Sequence, residues 1–469
     1  MKTVELVKKK IKDARCAILG FGVSNIPLVG ILIECGNEIT VHDKNDFSKL
    51  DERAIEFKRR GVKFVTGENY LDNIDADIIF RSPGIRPDYE GITRAIKSGA
   101  ELMSEMELFI ELTPARIFAV TGSDGKTTTT TIAYKLLEKE FENSDRKIFV
   151  GGNIGTPLLS RVGEMTENDI CVLELSSFQL FTMKKSPERA IITNLSPNHL
   201  DWHTDMSEYI LAKTNIFKNG CEHLTTNANN QYCRELLEKS KCAISLFSAH
   251  LRRDEMYPLP CECDNLYSIE NEYICSCEGG AVHKLIAVDE ILVPGIHNVE
   301  NYMAAISLTE GIVSDETVRY VATTFTGVEH RLEFIRELDG IRYYNSSIDS
   351  SPTRTAAALS ALKEKPIVIC GGYDKNIPFE PLAHALNDKA NSVILTGATA
   401  DKIYDVLIKE NVKIDIHIEK NFEKAVNLAR TIAKAGDTVL LSPACASFDA
   451  FKNFMERGNK FKEIVKSFK

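Results

Sequence analysis

A chain of 469 residues with 43% hydrophobic and 26% charged side chains is long enough for about three domains and too apolar to be disordered. Its formal net charge of −10 argues against a general nucleic-acid binder, which needs a basic face, but leaves room for electropositive loops around an anionic small molecule. No apolar run reaches the roughly 18 residues of a membrane span, and the lysine-rich first 12 residues lack a signal-peptide core, so a cytoplasmic protein with no membrane partner is expected.

In chain order, short apolar runs lead into Gly/Ser/Pro/Asn loops and then helical stretches. Residues 17–19 run into Gly20-Phe21-Gly22, 77–80 into Ser82-Pro83-Gly84, and 117–120 into Thr121-Gly122. Residues 170–173 lead to Glu174, 191–192 to Thr193-Asn194, 367–370 to Gly371-Gly372, 393–395 to Thr396-Gly397, and 439–441 to Ser442-Pro443. Continuous Val/Ile/Leu strands alternating with helices predict an α/β protein with parallel sheets covered on both faces, whose ligands sit beyond the strand carboxyl ends. Between about 257 and 294 the pattern becomes alternating, with Glu278-Gly279-Gly280 as a turn, and predicts a small antiparallel appendage. Boundaries fall near Ser104 and Gly327, giving domains 1–104, 105–327 and 328–469.

The twelve cysteines read as reduced thiols rather than a disulfide framework. Cys261, Cys263, Cys275 and Cys277 form two C-x-C pairs, tighter than the C-x₂₋₄-C of structural zinc, so zinc is not expected there.

The strongest motif is Thr121-Gly122-Ser123-Asp124-Gly125-Lys126-Thr127, between an apolar strand and a helix. A glycine-rich turn at a helix N-terminus presents backbone N–H groups to phosphate oxygens; the lysine reaches the β/γ-phosphates, and the next hydroxyl reaches magnesium. The loop lacks the leading glycine of the standard P-loop and is a variant of it. Glu174 closes a nearby strand, where a carboxylate ligates magnesium or, alternatively, caps a helix. In Asn198-His199-Leu200-Asp201, His199 reads as a cation or proton-transfer group, or as a structural histidine. Lys213 on a helix is an ordinary surface cation unless it faces the metal site, where a neutral amine can add carbon dioxide and become a carbamate ligand. Gly20-Phe21-Gly22-Val23-Ser24-Asn25 is a broken dinucleotide fingerprint with Asp43 at the ribose-acid spacing, better read as a general pyrophosphate turn than as a redox site.

In this order the motifs resemble the Mur ligases over essentially the whole chain, nearest to the branch that adds D-glutamate. The resemblance rests on Ser82-Pro83-Gly84-Ile85, the 122–127 loop, Gly152-Asn153-Ile154-Gly155-Thr156-Pro157, the 174–180, 198–201 and 209–213 segments and Gly295-Ile296-His297-Asn298. Later come His330-Arg331, Gly371-Gly372-Tyr373-Asp374-Lys375 and the run from Leu441 to Asp449. It implies two Rossmann-like domains flanking a central P-loop ATPase domain. It also implies an ATP-dependent ligase of peptidoglycan precursor synthesis, joining UDP-N-acetylmuramoyl-L-alanine to D-glutamate through an acyl phosphate. Carried over by position, Gly122, Ser123, Asp124, Gly125, Lys126, Thr127, Thr128, Asn298 and Arg331 would bind ATP, and Lys126, Asn153, His199 and Lys213 would be catalytic. Thr127, Glu174, His199 and Lys213 (as a carbamate) would hold two magnesium ions. Ser24, Asp43, Lys44, Ser82, Asn153 and His199 would meet the UDP-sugar, and Lys375, Ser447 and Phe454 the D-glutamate. A monomer is expected. Where many relatives have Asn-Asp-Ser, this chain has Asn345-Ser346-Ser347 with Asp349 three residues on, and the lost charged hydrogen bond, worth about 1.5–3 kcal/mol, predicts weaker ATP affinity. The alternatives are a related ligase with another amino-acid substrate, such as a folylpolyglutamate synthetase, and a nucleotide-binding paralogue with reduced catalysis.

Overall fold

The computed structural model describes residues 2–238, 240–256, 263–375 and 377–469. Three sheets organise them. The first comprises β1 (Arg15–Leu19), β2 (Glu38–Asp43), β3 (Lys63–Thr66), β4 (Ile78–Arg81) and β5 (Glu101–Met103) in the order β3-β2-β1-β4-β5. All its pairings are parallel, and the last four residues of β1 are buried, which is why that strand reads as an unbroken apolar run. Because β2 lies on one side of β1 and β4 on the other, the loops after β1 and β4 diverge at a topological switch, the place where such sheets bind ligands.

The second sheet contains β6 (Arg116–Thr121), β7 (Ile148–Gly152), β8 (Ile170–Glu174), β9 (Arg189–Ile192), β10 (His223–Asn227), β11 (Ala243–Phe247), β12 (Asn265–Glu270), β13 (Tyr273–Glu278) and β14 (Ala281–Ala287). Its order is β14-β13-β12-β11-β10-β9-β6-β8-β7, and β6 has β8 on one side and β9 on the other, both parallel. The segment expected as an antiparallel appendage starts outside the described residues at 257–262. From Asn265 it forms the antiparallel hairpin β12–β13, yet β12 also pairs in parallel with β11, so the hairpin continues the central sheet. Cys261 lies outside the described residues. The Cys263 thiol points at the Ile244 and Asn265 carbonyls, Cys275 and Cys277 are buried on β13, and no group of three or more metal-ligating His, Cys, Asp or Glu exists among the described residues.

The third sheet contains β15 (Glu333–Leu338), β16 (Ile341–Asn345), β17 (Ile367–Gly371), β18 (Ser392–Thr396), β19 (Asp415–Ile418) and β20 (Thr438–Leu441), in the order β15-β16-β20-β17-β18-β19. Only the β15–β16 pairing is antiparallel. The chain divides into two compact units: residues 1–286 with 300–318, holding the first two sheets, and 287–299 with 319–469, holding the third. Among the described residues no helix is long and apolar enough to cross a membrane.

Candidate functional site

The phosphate loop leaves β6 at the switch point of the central sheet, and its backbone is committed to a shape that only glycine takes easily. Gly122 has φ 146°, and a Cβ there would lie 1.9 Å from the Thr193 hydroxyl. Gly125, at φ 77°, caps the helix Lys126–Glu140, so the first amides of that helix face the loop as an anion site.

The loop after β9 holds this turn from beneath. Ser123 N–H donates to the Asn194 carbonyl at 2.9 Å, Asp124 N–H to Asn194 Oδ1 at 2.9 Å, and the Thr193 hydroxyl to the Asp124 carbonyl at 2.5 Å. The Ser123 hydroxyl lies 2.8 Å from the Tyr209 hydroxyl, and Asn301 accepts from Thr129 Oγ1 at 3.1 Å beside Gly125. None of Thr193, Tyr209 and Asn301 stands out as a site residue in sequence. The Lys126 amine curls back onto the Gly122 and Ser123 carbonyls, 2.9 Å from each.

Around the loop the chain gathers the other candidates. Glu174, at the end of β8, is buried; its Oε1 accepts from Asn153 Nδ2 at 2.8 Å, and its Oε2 is buried without a hydrogen-bond partner. A sealed carboxylate oxygen without a donor is costly unless a cation approaches it. With the Thr127 hydroxyl at the start of the helix, this donor set fits magnesium, which takes few protein oxygens and completes its shell with phosphate and water. Lys213 lies on the helix Met206–Thr214, is 1% exposed, and donates to Thr121 Oγ1 at 3.1 Å and to the Gly122 carbonyl at 2.9 Å. Burial and then the neighbouring Lys126 cation pull its amine well below the usual lysine range. That shift favours the neutral, nucleophilic form of the amine, the form that carbamate chemistry requires.

His199 has φ 55° and sets its ring 4.8 Å from Phe178. Partial burial, and next Lys126, lower its pKa, so its ring is an uncharged donor–acceptor at neutral pH. The following residues anchor to the first sheet: Trp202 Nε1 donates to the Gly84 carbonyl at 2.9 Å, and Arg86 bridges the Trp202 carbonyl at 2.5 Å and Glu208 at 3.0 Å. Arg81, buried at the end of β4, donates to the carbonyls of Pro83, Ile85 and Phe178, tying the first sheet to the segment after β8.

At the end of β1, the Asp43 carboxylate accepts from Phe21 N–H at 2.8 Å and from Asn45 N–H at 2.8 Å, so it braces the glycine turn. Asn25 donates to Ser82 Oγ at 3.0 Å and to the Gly20 carbonyl at 2.9 Å, and Lys44 is exposed. Ser24 and Asn153 line one cavity of about 290 Å³, with Arg81, Glu105, Gly155 and Gln179. Glu105 is almost sealed, and burial pushes its carboxyl up to about 7.

The second unit carries the remaining candidates. Asn298 Nδ2 donates to the Pro294 carbonyl at 2.6 Å, and Arg331 sits in a tight turn between His330 (φ 64°) and Leu332 (φ 44°). Lys375 donates to Ser350 Oγ at 3.1 Å, Ser447 is buried, and Phe454 opens the helix Phe454–Ser467 with its ring 5.9 Å from His330. Arg457, which nothing in the sequence flagged, is buried and donates to the carbonyls of Ser347, Cys445 and Ala446, clamping the loop that carries Ser447. Ser346 is buried and accepts from Leu332 N–H at 3.1 Å. Asp349 hydrogen-bonds the Ser346 and Ser442 hydroxyls, and burial pushes its carboxyl up to about 6.

Profiles of known families match two stretches: the Mur ligase middle domain over residues 120–309, and the Mur ligase glutamate ligase domain over 330–445. The UDP-N-acetylmuramoylalanine–D-glutamate ligase of Clostridium novyi is 48% identical over 472 residues, covering 99% of each chain. That of Acetivibrio thermocellus is 46% identical, covering 98% of each. Among solved structures, the UDP-N-acetylmuramate-alanine ligase MurC of Thermotoga maritima covers 97% of this chain and 100% of its own at 18% identity, with a TM-score of 0.57. FolC of E. coli, solved with ADP, covers 77% of this chain and 92% of its own at 15% identity and a TM-score of 0.53. Those two share the fold, whereas the Clostridium and Acetivibrio enzymes match nearly half of the residues from end to end, and on that ground the chain belongs to the Mur ligase family.

Proposed function

We propose that this protein is an ATP-dependent ligase of peptidoglycan precursor synthesis that joins the carboxylate of UDP-N-acetylmuramoyl-L-alanine to the amine of D-glutamate. The observation that carries this reading is the phosphate loop at the β6 switch point with Asn153–Glu174 and Lys213 converging on it, in a chain similar throughout to D-glutamate ligases.

In this reaction a substrate carboxylate oxygen bonds to the ATP γ-phosphorus while the bond to ADP breaks. The D-glutamate amine then bonds to the acyl-phosphate carbonyl, and phosphate leaves with a proton lost from nitrogen. Such chemistry is mostly positioning and charge neutralisation. The amides of 125–128 and the Lys126 amine cradle the phosphates, and Asn153, already oriented by Glu174, presents its amide toward the reacting carboxylate. Thr127 and Glu174 would hold one magnesium ion, and His199 with a carbamylated Lys213 a second, which would supply the charge neutralisation. His199, uncharged, accepts a proton or orients a cation without repelling one.

Ser24, Asp43, Lys44 and Ser82 are assigned to the nucleotide sugar, with Asp43 acting through the turn it braces. By family position, Asn298 and Arg331 are assigned to ATP, and Lys375, Ser447 and Phe454 to D-glutamate, whose second carboxylate suits an amine and a hydroxyl. Domain limits at 104 and 327, a cytoplasmic location and a monomeric state belong to the same reading.

The test is phosphate release from ATP with UDP-N-acetylmuramoyl-L-alanine, comparing D-glutamate with L-glutamate and other amino acids. Release requiring both the nucleotide sugar and D-glutamate is expected. Release with another amino acid keeps the mechanism and changes the substrate, and no release in any pairing overturns the reading.

A further inference from the structure

Resting on the nucleotide-sugar reading above, we propose that Glu105 is a further recognition residue, whose cavity-facing carboxylate oxygen accepts a hydrogen bond from the amide N–H joining L-alanine to the lactoyl group of the substrate. Glu105 is 4% exposed and lines the cavity of about 290 Å³ together with Ser24 and Asn153. It is the first residue of the helix Glu105–Leu112, capped by Ser104, and the positive end of that helix favours a carboxylate there. Its Oε1 accepts from Leu159 N–H at 3.3 Å. Its Oε2 meets no donor among the described residues, yet it is not sealed away: it opens on the cavity.

The polar groups around it are engaged elsewhere. Arg81 directs Nη1 to the carbonyls of Pro83 and Ile85 and Nη2 to that of Phe178. The Ser104 hydroxyl donates to Glu107 at 2.9 Å, and Asn153 Nδ2 donates to Glu174. A carboxylate oxygen withdrawn from water and left without a donor is costly, and a ligand that brings one removes the cost.

Between its diphosphate and its reacting carboxylate, the nucleotide sugar offers sugar hydroxyls and two amide N–H groups as donors. The alanine N–H stands on the same α-carbon as the reacting carboxylate. Asn153 is assigned to that carboxylate and shares the cavity with Glu105, so this N–H is the donor that Glu105 is placed to meet. The contact reads the amide linkage. A substrate ending in a hydroxy acid presents an ester oxygen instead, which sets one lone pair against another and is selected against.

The test measures KM and kcat for UDP-N-acetylmuramoyl-L-alanine and for its L-lactate analogue, in which an ester oxygen replaces that N–H. Burial lifts the Glu105 carboxyl to about 7, so pH 8 keeps it mostly ionised and accepting. The parent is expected to show a KM at least about tenfold higher for the ester than for the amide, the scale of one hydrogen bond to a charged group. Glu105→Ala is expected to raise the amide KM at least about tenfold and to leave the ester KM within about twofold. Glu105→Gln, which keeps an acceptor oxygen, is expected to recover most of that loss. Should the alanine variant melt too low to assay, Glu105→Leu, close in volume and without an acceptor, is expected to behave as Glu105→Ala does. Equal rises in both KM values, or no change in either, would overturn the role of Glu105 and leave the reaction standing. No turnover of the amide substrate by the parent would overturn both this role and the reading beneath it.

Discussion

The Lys213 amine donates to the carbonyl of Gly122 at 2.9 Å, tying a buried lysine to the glycine that opens the phosphate loop. With the Thr121 hydroxyl as its second partner, the amine is held against the loop backbone.

Lys213→Ala is expected to lower ligase turnover at least about a hundredfold, the scale of losing one preorganised electrostatic group. Added formate or acetate is expected to restore part of it by supplying the missing oxygens. Full turnover in the unrescued variant would remove the carbamate role. The amine also has a stability signature. Its folded pKa lies below its unfolded value of 10.5, so the unfolded chain binds the extra proton and stability falls as pH drops from 10.5 toward the folded value. In Lys213→Met that part of the slope disappears from a denaturation series.

Gly122→Ala is expected to cost roughly 2–4 kcal/mol or to block folding of the loop, because φ 146° excludes a side chain and Thr193 is in the way. Trimming Thr193 to Ala as well relieves only part of the clash, since the Thr193 backbone nitrogen also lies 3.1 Å from the added carbon. Denaturant titration of the single and double variants, alongside ATP binding, measures both effects.

Glu105 titrates in reverse of an ordinary surface carboxylate. Its carboxyl is raised from 4.5 to about 7, so the folded chain holds the proton and stability present below pH 4.5 is lost as pH rises through 7. Glu105→Gln keeps an acceptor for Leu159 N–H and is expected to be more stable than the parent at pH 8, by up to about 3 kcal/mol, and no more stable at pH 4.5. Melting temperatures across that range decide it, and a flat difference would show that Glu105 is not the group responsible.

An acid at 346 no longer looks like a simple restoration. Ser346→Asp would place a second buried carboxylate against Asp349, already raised to about 6. The variant is expected to lose about 1–2 kcal/mol near neutral pH without gaining ATP affinity. Adding Asp349→Ser is expected to recover the loss. Calorimetric titration with ATP and thermal melts of both variants read the two effects, and tighter ATP binding by Ser346→Asp alone would contradict this.

Much of the fold is legible in sequence because strands buried on both faces announce themselves: β1, β4, β6, β8, β17, β18 and β20 are unbroken apolar runs with buried residues throughout or nearly so. β10 hides because it buries His-Leu-Thr-Thr-Asn, whose hydroxyls find partners only in the folded sheet: Thr226 on the Ile192 carbonyl, Thr225 with Ser307. The edge strand β19 hides for the opposite reason, its residues being half-buried or exposed. At the site, the phosphate loop and the residues closing the strands could be read directly, since their chemistry is local. The groups that brace them could not: Tyr209 meets Ser123 across 86 positions, Asn301 meets Thr129 across 172, and Arg457 grips Ser347 across 110. Nothing about a tyrosine, an asparagine or an arginine in a helix declares such a partner.

The order of strands in the third sheet has a consequence for how the chain is made. β20 lies between β16 and β17, so the middle of that sheet is supplied by residues 438–441, the last of its six strands in chain order. Until they arrive, β16 and β17 face each other across an open slot with unpaired backbone edges, and β15 through β19 wait as two separate pieces. Premature termination after β19 would therefore not trim this unit from its end but remove its keystone, leaving two edges exposed to pairing with other chains.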